Sequence, residues 1–251
     1  MNNISQRIPS KIRVRKLTVA LMTLLLVSGM MPAWQAQAQS NLNPGVIPPQ
    51  ARPFGGSYGQ WSALWWQWAY SIPAARNPLF DETGANCGEG QSGKVWFLAG
   101  SYGSFTEPAV RRCRIPQGKA IFFPILNVVA GSGVYDCDPS VPGVPCDVPA
   151  LRQLTATLMD NPILLEADVD GRPIQNPNSY RAVSPVFKIT YPEDNINGLP
   201  AGMYYPQVSD GYWIMLAPLS TGAHNIHFKG IVDFFGYIFT TEVTYEITVG
   251  N

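Results

Sequence analysis

His224 and His227 are the only imidazoles in this 251-residue chain, and their H-x-x-H spacing is the first place to look for chemistry. On a strand, residues three apart face opposite sides, so the two could reach one metal ion only across a bulge. His224 shares a face with Ile226 and Phe228 and is expected as a hydrogen-bonded core residue behind the turn at 218–222. His227 goes with Asn225 and Lys229 on the other face. A single histidine could also act as a general acid or base. Asp136, Asp138 and Asp147 form a candidate Ca²⁺ set, because a Cys137–Cys146 bridge would draw them together and hard cations take oxygen ligands. Glu166, Asp168 and Asp170 are a second acidic set, more simply read as a solvated strand face. Asp81, Glu82, Glu89 and Glu107 could supply the acid pair of a glycosidase, whose carboxyls stand about 5–9.5 Å apart. There is no G-x-S-x-G, no G-x-G-x-x-G opening a helix and no Walker pattern, so no catalytic residue is assigned and no nucleotide cofactor is expected. Ca²⁺ is the one cofactor left open.

Aromatic residues are the compositional excess, at 12% of the chain. Their faces stack on sugar rings and on other flat or apolar ligands. Trp66, Tyr70, Tyr204, Tyr205, Tyr212 and Trp213 are the members expected to be exposed and to bind a ligand.

The elements that must position these groups are readable from local pattern. Residues 57–72 carry four of the seven tryptophans. Ser57 followed by Gln60 is a capping box, and Pro73 marks the end of the helix they open. Trp61, Leu64, Trp65, Trp68 and Ile72 fall on one helical stripe, which predicts docking through that stripe and leaves Trp66 and Tyr70 outside it. Asp147 can cap a second, short helix over 148–159. Residues 94–100 and 119–127 read as strands buried on both faces, with Pro124 implying a bulge or an edge, and 101–118 reads as a loop between them. Further strands are expected at 163–169, turning at Asp170-Gly171, and at 180–191, 212–216, 223–232 and 237–249. In the last of these Val243, Tyr245, Ile247 and Val249 face inward. The fold class is therefore mostly β: an antiparallel β-sandwich or jelly-roll-like domain with a Trp-rich N-terminal helix and a second short helix.

The run 210–228, with its Gly-Tyr-Trp strand, Pro-Leu-Ser-x-Gly turn and x-His-x-Ile-x-Phe strand, resembles a group of uncharacterised secreted bacterial proteins. The Trp-rich helix, Asn77-Pro78, Cys87 and Val95-Trp-Phe-Leu-Ala-Gly100 fit the same group. The resemblance implies a β-sandwich-like fold over nearly all of the mature chain and brings no activity, substrate or catalytic residue with it.

The termini and cysteines bound where the protein works. Lys11, Arg13, Arg15 and Lys16 precede an apolar run over 17–31 and an Ala36-Gln37-Ala38 site, which predicts a signal peptide at 1–38. No later stretch approaches the about 20 apolar residues needed to span a bilayer. Residues 39–56 are an extended lead-in and 57–251 a single β-rich domain. Five of the 17 basic residues and none of the 17 acidic ones precede the cut, which leaves a net charge of −5 and argues against nucleic acid. Cys87, Cys113, Cys137 and Cys146 are expected as Cys87–Cys113 and Cys137–Cys146 disulfides in an oxidising compartment, the periplasm or the exterior. The expected function is non-enzymatic binding of a glycan or a small apolar ligand. A secreted glycoside hydrolase-like enzyme with a carboxylate pair, and a structural or interaction protein of the cell envelope, remain as alternatives.

Overall fold

The computed structural model describes residue 43 and residues 45–102, 108–134 and 147–250. The signal segment, the Cys137–Cys146 pairing, Asp136, Asp138 and Glu107 lie outside those residues. In chain order the described elements are α1 (Tyr58–Ser71), β1 (Val95–Phe97), β2 (Ala109–Pro116), β3 (Ala120–Gly131), α2 (Val148–Met159), β4 (Leu164–Val169), β5 (Arg172–Pro173), β6 (Phe187–Tyr191), β7 (Gly202–Leu216), β8 (Gly222–Phe234) and β9 (Tyr237–Gly250). They build two packed sheets, β1-β3-β7-β6 and β2-β9-β8-β4-β5.

The sandwich is mixed rather than purely antiparallel, since β1 pairs parallel with β3 and β2 parallel with β9. Parallel neighbours cannot be joined by a tight turn. Here the crossover from β1 to β3 is β2 itself, which crosses to the other sheet. Residues 101–118 are expected as a loop, but along β2 the inward positions are Ala109, Arg111, Cys113 and Ile115, and the arginine among them hides the apolar alternation. Strand β7 starts at Gly202 rather than near Tyr212, and its buried Gln207, Ser209 and Asp210 break the apolar pattern in the same way.

The first sheet is covered on both faces. Phe123 of β3 stacks on Phe228 of β8 across the sandwich, with ring centroids 5.0 Å apart. On the opposite face Phe122 and Trp213 stack at 5.2 Å, and Trp213 meets Trp65 of α1 at 5.5 Å. Two-sided burial is why β3 and the end of β7 are near-continuous apolar runs. Pro124 sits at a register shift between β3 and β7, the expected bulge.

Helix α1 has the predicted capping box: Gln60 N donates to Ser57 Oγ and Ser57 N to Gln60 Oε1. Its docking face takes in most of the predicted stripe and extends beyond it. Trp65, Trp68 and Ile72 are buried and Trp61 packs against the core, but Leu64 is 44% exposed, and Tyr58, Trp66, Ala69 and Tyr70 are buried as well. The helix has cover on two flanks as well as beneath. The loop after it accepts from the Trp68 indole at Glu89 O, and β6 accepts from the Gln67 amide at Lys188 O. A helix apolar on most sides is buried on most sides. Gly59 permits this closeness, because a Cβ there would stand 2.1 Å from the Val183 carbonyl oxygen. The lead-in is ordered where it meets the domain, with Ile47 N donating to Met215 O.

The expected Cys87–Cys113 disulfide is present and ties the loop after α1 to β2. Helix α2 begins at the predicted cap, Ala150 N donating to Asp147 Oδ1 at 2.8 Å.

Candidate functional site

Beneath one flank of α1 lies a cavity of about 600 Å³, within the size range of small-molecule sites. Helix α1 contributes Trp65, Trp66 and Tyr70. The stretch after β1 contributes Gly100, Ser101 and Tyr102, β3 contributes Pro124 and Asn127 to Val129, and the β8–β9 turn contributes Phe234, Tyr237, Phe239 and Thr241. In a regular strand Pro124 and Asn127 would face opposite sides. The register shift at Pro124 turns both to one wall.

The aromatic roof is closely packed and the rim is more open. Trp66 stands edge-on to Trp65 with centroids 4.9 Å apart, and meets Tyr70 at 5.1 Å. Its indole Nε1 and the Asn127 Nδ2 are buried without a hydrogen-bond partner among the described residues. At the rim, Tyr102 Oη donates to Asn197 Oδ1 at 3.2 Å, and Asn197 Nδ2 donates to Tyr191 Oη at 3.0 Å. Burial pushes the Tyr191 phenol well above its usual range. Behind the wall Ser101 N and Oγ both donate to Thr241 Oγ1. Among the described lining residues none is acidic or basic.

No protein-family model, curated protein or solved structure matches this chain.

The six aromatic candidates divide. Trp66 and Tyr70 line the cavity, but from within the protein: they are 5% and 1% exposed, where an exposed pair was expected. Tyr212 and Trp213 are also buried. Tyr212 Oη donates to Met159 O, and Trp213 lies under α1, so neither faces solvent. Tyr204 packs edge-on against Tyr191 with its hydroxyl on Pro200 O, and Tyr205 is exposed. Tyr102, Asn127, Phe234, Tyr237 and Phe239 were missed. The aromatic run flanking Gly236 was a usable signal for the last three, since bulky apolar residues crowd what should be a polar hairpin turn.

The acidic candidates are occupied otherwise. Asp81 is partly buried, which works against its charge, but bonds from Asn86 N, Thr83 N and Thr83 Oγ1 outweigh that and hold the carboxyl below its usual range. A glycosidase general acid needs the opposite shift. Glu89 pairs with Arg76 at 2.8 Å. Asp147 serves as the α2 cap. Glu166 pairs in register with Lys229, and Asp168 lies 3.3 Å from His227.

The histidines face opposite sides of β8, as their spacing required. His227 stands between Asp168 and Glu242. His224 is held at Nδ1 by Asp170 at 2.8 Å and at Nε2 by the Ser220 carbonyl at 2.9 Å, with Ser220 Oγ at 3.2 Å. The order Ser–His–Asp suggests a nucleophile, but the geometry opposes it. A general base must offer Nε2 as a lone pair, and here a carbonyl oxygen faces that nitrogen and favours N–H. Partial burial disfavours the imidazolium, yet Asp170 and Ser220 more than compensate and raise its pKa. The cluster is a clamp between the β4–β5 and β7–β8 turns. Asp170 reaches it because it adopts the left-handed conformation, with φ 53°.

Proposed function

We propose that the mature protein is an exported, non-enzymatic binding protein for a small, largely apolar ligand held in the cavity under α1. The observation that carries this reading is the cavity itself: a ligand-sized space walled by Trp65, Trp66 and Tyr70 on a rigid helix rather than on loops. The space opens to solvent beside Tyr102 and Tyr237 and closes inward on Trp66 and Tyr70, the concave, mostly apolar form of a small-molecule site. The lining favours an apolar body over a free sugar, whose many hydroxyls would need more paired polar groups than the walls supply. Export to the periplasm or the exterior follows from the signal reading and fits the Cys87–Cys113 bridge. Membership of the secreted bacterial group resembled by the sequence belongs to the same proposal.

The test is a titration with the neutral apolar probe 1-N-phenylnaphthylamine, followed by its fluorescence. The wild-type protein should bind about one probe per chain, and Val128→Phe, which fills the cavity from β3, should lose binding while remaining folded by circular dichroism. Absence of probe binding by the wild type, or full binding by the filled variant, would overturn the proposal. In the first case a structural or interaction role becomes the better account.

A further inference from the structure

We infer that the ligand of this cavity is an anion, a carboxylate or similar acidic group on an apolar body, and that Arg111 selects it; the inference rests on the cavity being a ligand site. Arg111 lies on the inward side of β2 and is 1% exposed. Its Nη1 donates to Ala99 O at 2.9 Å, Gly100 O at 3.0 Å and Tyr245 Oη at 2.9 Å, and its Cζ stands 5.6 Å from the Tyr245 ring centroid. All of these partners are neutral. Nε and Nη2 are buried with no hydrogen-bond partner among the described residues.

A guanidinium does not shed its proton in a protein, and a buried charge is expensive unless an opposite charge answers it. Arg76, Arg112 and Arg181 each have a carboxylate partner. Arg111 has none among the described residues. Its position says where one could come from. Gly100 accepts from Nη1 and is itself part of the cavity wall, so the charge sits one peptide behind the empty space. No acidic side chain among the described lining residues neutralises it, and water is largely excluded from that side of the wall. A fixed cation behind an apolar wall acts on a ligand through low-dielectric surroundings, where its attraction for an anion is far stronger than in bulk water.

The experiment displaces bound 1-N-phenylnaphthylamine at pH 8 with decanoate, decanol and methyl decanoate, three ligands with one apolar body and different heads. Decanoate should compete at a concentration at least about tenfold lower than the neutral pair. In Arg111→Met, checked by circular dichroism, the three should compete alike. Arg111→Lys, which keeps the charge, should keep the preference. Equal competition in the wild type overturns the charge inference and leaves the cavity standing, as does a full acid preference in Arg111→Met. No probe binding by the wild type overturns both together. The wild-type comparison decides the matter even where a variant fails to fold.

Discussion

Arg181 and Arg111 are held in opposite ways. Arg181 makes a two-pronged contact with Asp210, Nε to Oδ1 at 3.0 Å and Nη2 to Oδ2 at 2.7 Å, and a third bond from Nη1 to Asp160. Those carboxylate bonds outweigh the penalty of burial and drive its pKa further up. Asp210 is in the buried middle of β7, and Asp160 caps the C-terminal end of α2, so the cluster pins the helix to the sheet and is electrostatically complete. Among the described residues Arg111 has only carbonyls, a phenol and an aromatic face. A satisfied ion network holds the fold together. A buried cation with no counter-charge among the described residues, beside a cavity, is what the proposed anion selection rests on.

The largest effect should come from breaking the complete network. Asp210→Ala leaves a half-buried guanidinium facing an apolar strand and should destabilise by about 3–5 kcal/mol in urea unfolding, the range for breaking a buried pair from one side. A change under about 1 kcal/mol would mean that the network is ornamental and the contrast false.

Next is the strand that carries Arg111. Removing the disulfide with Cys87→Ser and Cys113→Ser frees a loop of sequence separation 26 and should cost about 3 kcal/mol in the chain-entropy model. Because that loop also carries Gly100, Ser101 and Tyr102 of the cavity wall, probe binding should weaken along with the melting temperature. Unchanged binding would show that the wall does not depend on the tether.

Arg111→Met should move stability by no more than about 1 kcal/mol, in either direction, because an apolar side chain of similar length removes an uncompensated charge. If it instead destabilises as much as Asp210→Ala, Arg111 is a structural residue like Arg181.

The smallest effect sets the pH dependence. The His224 pKa is raised, so its clamp contributes fully below the unfolded histidine value and is lost as pH rises through the raised value. The Asp170 pKa is lowered: burial opposes its charge, but bonds from His224 and Asn225 N dominate. Its share is present above the unfolded carboxylate value and is lost as pH falls through the lowered one. Together they act between about pH 4 and pH 6.5. His224→Gln should therefore cost about 1 kcal/mol at pH 5.5 and less at pH 8.5, read as two melting-temperature differences.

Much of the fold was legible in the chain. The capping box at Ser57, the Asp147 cap, the inward set of β9, the Asp170-Gly171 turn, the bulge at Pro124 and the Cys87–Cys113 pair all follow from contacts or periods a few residues long, or from the pairing expected of cysteines in the proposed oxidising compartment. Element β2 was not legible, because Arg111 occupies an inward position that an alternation rule reserves for an apolar side chain.

The site divides along the same line. Local spacing was enough to say that residues 58–71 form a helix and that Trp66 and Tyr70 stand apart from its expected stripe, since backbone geometry sets both within a few turns. Which side of that helix meets solvent, and that it roofs a cavity, depended on segments near residues 79, 100, 127, 197 and 237 converging on it. Their distances along the chain carry no period to read. The uncompensated charge of Arg111 belongs to the tertiary structure entirely, because a guanidinium is paired or unpaired only with respect to what the folded chain places around it.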